Sequence, residues 1–144
     1  WELTDLQKDM RDSVAELTRI RKTYLADVAA EFFTGRLDLG TQRKDIAWFS
    51  LGGHEMTEAH WADGEKRSLT VQIEAGPDRG LLLLLNSATE ETAFTLPDEK
   101  WGTSFRRIFD ASSPVDTHQP IIELPAAKVK VAPHCAQVWL VTRS

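Results

Sequence analysis

Residues 54–61 read HEMTEAHW and place two histidines, two glutamates and a tryptophan within eight positions. The zinc-binding HExxH motif needs histidines four positions apart, so that both lie on one face of a helix with the glutamate as general base. Four positions after His54 stands Glu58, and the second histidine, His60, is six positions away. The preceding Gly52–Gly53 pair also disfavours a long helix. We therefore predict a structural segment here, with no metal and no cofactor.

Carboxylates around this segment raise the question of acid–base catalysis. They are Asp45, Glu55, Glu58 and Asp63. A retaining glycosidase needs two carboxyl groups about 5–5.5 Å apart. Carboxylates in a glycine-rich loop are more often solvated or cap turns. The chain has 144 residues, too few for the ~250-residue barrel on which such pairs often sit. We predict no catalytic residue in this chain.

The chain contains five tryptophans, which matter because exposed aromatic rings can stack on the faces of sugars. Trp48 and Trp139 fall inside strand-like patterns, which predicts that both lie in the core. Trp61 and Trp101 border predicted loops. These two residues are therefore the candidate sugar-contacting side chains.

Composition argues against several classes of protein. The net charge is −5 with no dense Lys/Arg block, so a nucleic-acid partner is not expected. The longest apolar run, Leu81–Leu85, is far shorter than the ~20 residues of a bilayer-spanning helix, so no membrane partner is expected either. The single cysteine, Cys135, fits a reducing environment, and we expect a cytoplasmic protein.

An amphipathic helix is predicted in the first third of the chain. Thr4 and Gln7 have the spacing of a capping box, which marks a helix start. Apolar side chains then recur every three or four positions and line one helical face. This stripe consists of Leu3, Leu6, Met10, Val14, Leu17, Ile20 and Tyr24.

After Gly40 the hydrophobic period changes to two, which indicates β-strands. Leu69, Val71 and Ile73 alternate with polar residues, and the run 80–85 is apolar on both faces, as in a central strand. Further short strands are predicted near residues 46–50, 93–96, 104–109, 129–131 and 136–142.

These patterns predict a mainly β fold, an antiparallel β-sandwich of about seven strands preceded by the N-terminal amphipathic helix. We divide the chain into a helical segment, residues 1–40, and a sandwich domain, residues 41–144. The helix is long for so small a sandwich, which offers limited surface on which to bury its stripe.

Several short motifs, in order along the chain, resemble a known family. The stretch 45–61, DIAWFSLGGHEMTEAHW, resembles the D-[IV]-x-W…G-x-E-M-T-x-x-x-W segment of isoamylase-like glycogen debranching enzymes, the glycoside hydrolases of the bacterial glycogen operon. In that family this segment follows the catalytic barrel. Similar matches are LTRIRK at 17–22, FFTGR at 32–36, LLLLLN at 81–86 and FTLP at 94–97.

The chain also departs from the family pattern. The family usually has Asp immediately before the second Trp, where this chain has His60, and Asp-Pro shortly after it, where this chain has Asp63–Gly64. The second histidine of HEMTEAHW thus occupies a position where the family has an acid. The resemblance implies that this segment connects barrel and sandwich.

The resemblance implies that the chain is the non-catalytic C-terminal domain of a debranching enzyme whose barrel hydrolyses α-1,6-glucosidic branch linkages in glycogen or limit dextrin. The domain would pack on the barrel and stabilise it, and α-glucan would be reached through the parent enzyme. The family's catalytic carboxylates lie upstream on barrel strands, so this chain alone is expected to be inactive. A first residue of Trp1, in place of methionine, agrees with a piece of a longer protein.

Two other functions stay open at this point. The chain could be a self-standing carbohydrate-binding module, or an interaction domain that works through its helix. In the absence of a barrel, the stripe that includes Leu6, Met10 and Leu17 would either fold back onto the sandwich or pair with a second copy. We favour the homodimer, because the second copy offers a matching stripe.

Overall fold

The computed structural model describes residues 2–28 and 32–143, so Trp1 lies outside the described residues. The first element is helix α1, Asp5–Leu25, and the predicted capping box is present: Thr4 and Gln7 each accept a hydrogen bond from the other's backbone N–H. A second helix, α2, spans Glu58–Ala62. Among the described residues, neither helix combines the length and hydropathy needed to cross a membrane.

The rest of the described chain is mainly antiparallel β-structure, as predicted. Six strands form one sheet in the order β1-β2-β3-β8-β5-β6, and β4 pairs with β7 in a second, two-stranded sheet. The strands are β1 Ile46–Phe49, β2 Ser68–Glu74, β3 Arg79–Asn86, β4 Thr92–Thr95, β5 Ser104–Asp110, β6 Ile122–Glu123, β7 Lys128–Val131 and β8 Cys135–Thr142. The fold is a β-sandwich preceded by a helix, which confirms the predicted class.

The main core lies between the two sheets. Strand β3 contributes Leu82 and Leu84 to this inner face, and β8 contributes Trp139 and Val141. The small sheet packs its inward side chains against them from the other side, with Phe94 at the centre. Alternate residues of each strand point to the same face, which is why these positions share one core.

The opposite, outer face of the six-stranded sheet is also apolar, and α1 covers one end of it. Ile20 is buried against Leu81 and Val138, and Tyr24 packs at the edge of the same cluster. Tyr24 also lies beneath the Arg79 guanidinium, which is 5.2 Å from the ring centroid. The helix therefore folds back onto the sandwich, but only through its last two turns.

The remaining stripe of α1 is exposed in this structure. Leu6, Met10, Val14 and Leu17 precede the docked Ile20 on the same face and all are exposed. The expectation of fold-back is thus met by one end of the helix alone. The other part of the stripe is left without cover from the described residues of this chain.

The tight packing at one end of the main core yields a stability prediction. A Cβ on Gly102 would lie 2.3 Å from Val141 Cγ1 and 3.2 Å from Phe105 Cζ, and both of those side chains are fully buried. Gly102→Ala is therefore expected to lower the free energy of unfolding by about 1–3 kcal/mol through overpacking.

The matched control is Gly64→Ala, since a Cβ at Gly64 would meet no atom within 4 Å. Denaturant unfolding of both variants and the wild type measures the effect. Equal stability of the two alanine variants would contradict the packing described for Gly102.

Candidate functional site

The HEMTEAHW segment folds as a turn followed by the one-and-a-half-turn helix α2. Thr57 is its N-cap: the Thr57 N–H donates to His60 Nδ1 at 3.1 Å, and the His60 N–H donates to Thr57 Oγ1 at 3.4 Å. His60 thus occupies the position that Glu or Gln takes in an ordinary capping box. The sequence interpretation missed this helix, although Thr57 before the acidic Glu58 is a readable start signal.

The other metal-ligand candidates of the segment, His54 and Glu55, lie before α2, outside the helix. His54 precedes α2, is exposed, and its carbonyl accepts from the Ser50 N–H at 2.9 Å. Glu55 forms an ion pair with Lys44. His54 therefore shares no helical face with Glu58. Within residues 2–28 and 32–143, no group of three or more His, Cys, Asp or Glu side chains is arranged to hold a metal ion.

Asp45 fixes the chain that leads into the sandwich. Its carboxylate accepts hydrogen bonds at 2.8 Å from the backbone N–H groups of Thr34, Gly35 and Ile46. Burial alone would raise the pKa of Asp45, but these three N–H donors outweigh it and hold the pKa below its usual value. Asp45 is an anchor for residues 34–46, and we call this group of bonds the Asp45 clamp.

Asp63, the fourth carboxylate considered from the sequence, ends α2. Its backbone N–H donates to the His60 carbonyl at 3.4 Å, and its Oδ1 accepts from the Glu65 N–H at 3.0 Å. Asp45, Glu55 and Asp63 therefore each have a structural partner within the chain. Glu58 lies exposed in the first turn of α2.

Two tryptophans meet on the outer face beside α2. The rings of Trp48 and Trp61 are arranged edge to face, with centroids 5.7 Å apart and planes at 71°. Trp48 is 37% exposed and Trp61 is 55% exposed. The prediction that Trp48 lies in the core is wrong, because β1 is the edge strand and the outer face is open beside it. The same prediction for Trp139 is confirmed, since it is 1% exposed.

Trp101, the second candidate for sugar contact, lies in a core cluster with Phe49. It is 4% exposed, and the two rings are edge to face with centroids 5.0 Å apart. The Trp101 carbonyl accepts from Gln72 Nε2 and Arg143 Nε. Trp101 therefore lacks the open ring face that stacking on a sugar needs. Of the two candidates, Trp61 alone presents an exposed ring.

A groove of about 720 Å³ runs beside Trp61 at one end of the outer face. Leu69, Leu85 and Ala136, which are paired across β2, β3 and β8, contribute to its lining. Polar side chains at its margin include Asp63, Lys66 and His134. We call this the Trp61 groove. It brings together Trp61, the candidate for sugar contact, with His60 and Asp63 from the same segment and with strand residues that the sequence did not single out.

A comparison of the sequence with known protein families gives a match that begins at Asp45. The family model described as "Isoamylase, C-terminal" matches residues 45–144. The chain belongs to this isoamylase C-terminal family. The resemblance drawn from residues 45–61 is thereby confirmed, and the match begins at Asp45 itself and includes every strand of the sandwich.

Longer proteins are also similar to this chain. The Glycogen operon protein GlgX homologs of Mycobacterium bovis and of two Mycobacterium tuberculosis strains are each 26% identical to this chain over 128 residues. The alignment covers 80% of this chain and 18% of each relative. The chain thus spans less than a fifth of the length of these relatives.

The Asp45 clamp yields a prediction with a defined pH dependence. Because the pKa of Asp45 is lowered in the folded protein, its carboxylate stabilises the fold above the ordinary Asp pKa of about 3.9, and this contribution is lost as the pH falls through the lowered value. Asp45→Asn is expected to cost about 1.5–3 kcal/mol at neutral pH, with a smaller difference from wild type in acid.

Urea unfolding at neutral pH and at acidic pH measures the difference in free energy of unfolding between wild type and Asp45→Asn. The amide resonances of Thr34 and Gly35 report whether the hydrogen bonds of the Asp45 clamp are lost. Asp9→Asn, at an exposed position on α1, is the control. A difference between wild type and Asp45→Asn that does not change with pH would contradict the assignment.

Proposed function

We propose that this chain is the non-catalytic C-terminal domain of a glycogen-debranching glycoside hydrolase. The remainder of that enzyme would hydrolyse α-1,6-glucosidic linkages in glycogen or limit dextrin. Support comes from membership of the isoamylase C-terminal family and from the longer relatives, whose printed name associates them with a glycogen operon. The carboxylates singled out from the sequence have structural partners or lie in solvent, which fits a domain without its own hydrolytic site.

The observation that carries this proposal is the half-covered stripe of α1. Ile20 is 3% exposed on the sheet, whereas Leu6, Met10, Val14 and Leu17 are 75, 63, 54 and 40% exposed. Fully burying each such side chain contributes about 1.5–3 kcal/mol, so a stripe of this size favours a further partner. We propose the catalytic barrel as that partner, with residues 1–40 as barrel-closing helix and linker and 41–144 as the sandwich domain.

The proposed role is mechanical. In the described residues, α1 is fixed to the sandwich by Ile20 and Tyr24, and the chain re-entering the sandwich is fixed by the Asp45 clamp. A barrel packed on the free stripe would therefore be held in one orientation relative to the sheet. A cytoplasmic location is part of the proposal, since the lone Cys135 suits a reducing compartment.

Hydrolysis assays test this proposal. The 144-residue chain is expected to release no reducing ends from branched glucan, because covalent glycoside hydrolysis requires two carboxyl groups placed by a rigid scaffold. The complete reading frame that encodes these residues is expected to debranch the same substrate. Turnover by the 144-residue chain that disappears in Glu55→Gln or Glu58→Gln would overturn the proposal.

The stripe has a second candidate partner when the chain is alone, namely another copy of α1. Residues 5–15 of the helix carry three of its four acids and two of its five bases, a net charge of −1, whereas residues 16–25 carry Arg19, Arg21 and Lys22 against the single acid Glu16, a net charge of +2. An antiparallel, two-fold pairing would set opposite charges against each other on either side of the apolar stripe. We propose that the isolated chain dimerises in this way.

Sedimentation equilibrium measures this association. The wild-type chain is expected to dimerise at micromolar concentrations, and the double variant Met10→Glu, Leu17→Glu is expected to stay monomeric, because burying unpaired carboxylates is costly. The double variant Ile122→Glu, Leu124→Glu is the control, since it changes two exposed apolar residues elsewhere. A monomeric wild type at high micromolar concentration would exclude the dimer and leave the barrel proposal intact.

A further inference from the structure

We infer that the Trp61 groove binds a short segment of α-glucan, as a site on this domain separate from the hydrolytic one. The choice of α-glucan as ligand rests on the proposed function. The existence of a binding groove rests on the geometry of the described residues: an exposed aromatic ring packed edge to face on a second ring, an apolar lining and a polar margin. A groove of about 720 Å³ has the size of a small-ligand site.

The Trp61 ring has a packing partner on one side and is open on the other. The reciprocal hydrogen bonds between Thr57 and His60 fix the first turn of α2, and the edge-to-face contact with Trp48 supports the ring from one side. A side chain that already packs on a neighbour loses less conformational entropy on binding than a free one. The ring nevertheless remains 55% exposed, so a large apolar surface is offered to a partner.

The groove combines apolar and polar surfaces in the way a sugar ring does. A glucose unit has an apolar face of C–H groups and an edge of hydroxyl groups, which both donate and accept hydrogen bonds. Leu69 and Leu85 line the groove with Trp61, while Asp63 supplies an acceptor and Lys66 and Arg67 supply donors. Donors and an acceptor beside an apolar surface suit the hydroxyl groups and the C–H face of a sugar.

The groove lies away from the place where α1 docks on the sheet. Helix α1 docks at Leu81, and the groove is lined by Leu85, four residues further along β3. At about 3.3 Å per residue these positions are roughly 13 Å apart. The Trp61 groove is therefore separate from the contact that α1 makes with the sheet.

Binding is tested with the full 144-residue chain and defined oligosaccharides. Titration with maltoheptaose, followed by the indole N–H resonances in NMR spectra, is expected to shift the Trp61 signal, and cellohexaose is expected to have no effect. Native electrophoresis in gels containing glycogen is expected to show retardation. Trp61→Ala should weaken maltoheptaose binding by roughly tenfold or more, and Trp61→Phe should retain part of it.

Ile122→Ala is the matched control, because Ile122 is as exposed as Trp61 but lies at the far edge of the sheet. Circular dichroism of each variant verifies folding. Absence of binding by the wild type at millimolar maltoheptaose, or unchanged binding by folded Trp61→Ala, would overturn the inference.

A Trp61 resonance shielded from solvent in the complete protein without glucan would also overturn it, since the catalytic part would then cover the groove. The hydrolysis assay is independent of these results. Debranching by the complete reading frame with no binding at Trp61 would reject the groove and retain the proposed function.

Discussion

The six-stranded sheet is apolar on both faces, and the described part of the chain fully covers only one of them. The run 81–85 supplies leucines to both sides of β3, which commits each face of the sheet to a buried environment. The small β4–β7 sheet covers the inner face and completes the main core. On the outer face, α1 closes one end and leaves the rest of its own stripe exposed. The exposed part of this stripe is the surface that we propose for the catalytic barrel.

Two independent attachments determine how that partner would sit. The buried Ile20 fastens the end of α1 to β3 and β8, and the Asp45 clamp fastens the segment that enters β1. One attachment is apolar and insensitive to pH, and the other depends on an ionised carboxylate. Both attachments would fix the orientation of a domain packed on α1 relative to the sheet. The family match begins at Asp45, where the second attachment lies.

Most of the fold could be predicted from the sequence because its elements have clear hydrophobic periods. The helix with its capping box and the strands around Leu69–Ile73 and Leu81–Leu85 were found in this way. Strand β6 was missed, since Ile122–Glu123 is too short to show a period of two. Periodicity predicts the face of the sheet on which a side chain lies, but it does not predict whether other residues pack on that face. This is why the prediction that Trp48 lies in the core is wrong.

The candidate site was less predictable for a similar reason. The short helix α2 begins with a capping box in which histidine replaces the usual Glu or Gln, so the sequence signal was weak. Trp61 and Trp101 looked alike in sequence, as both border loops. Their environments differ because Trp101 packs on Phe49 in a buried cluster, while Trp61 stands on α2 at the open end of the outer face. Only tertiary packing separates them.

Hydrogen exchange along α1 tests the central proposal that the free stripe of this helix packs on a catalytic domain. In the 144-residue chain, diluted until it is monomeric, amides of residues 18–25 should be protected by their contact with the sheet, and those of residues 8–14 should exchange rapidly. In the protein made from the complete reading frame, residues 8–14 should become as protected as residues 18–25. Rapid exchange of residues 8–14 in both proteins would contradict the account, because the stripe would then have no partner in the longer chain.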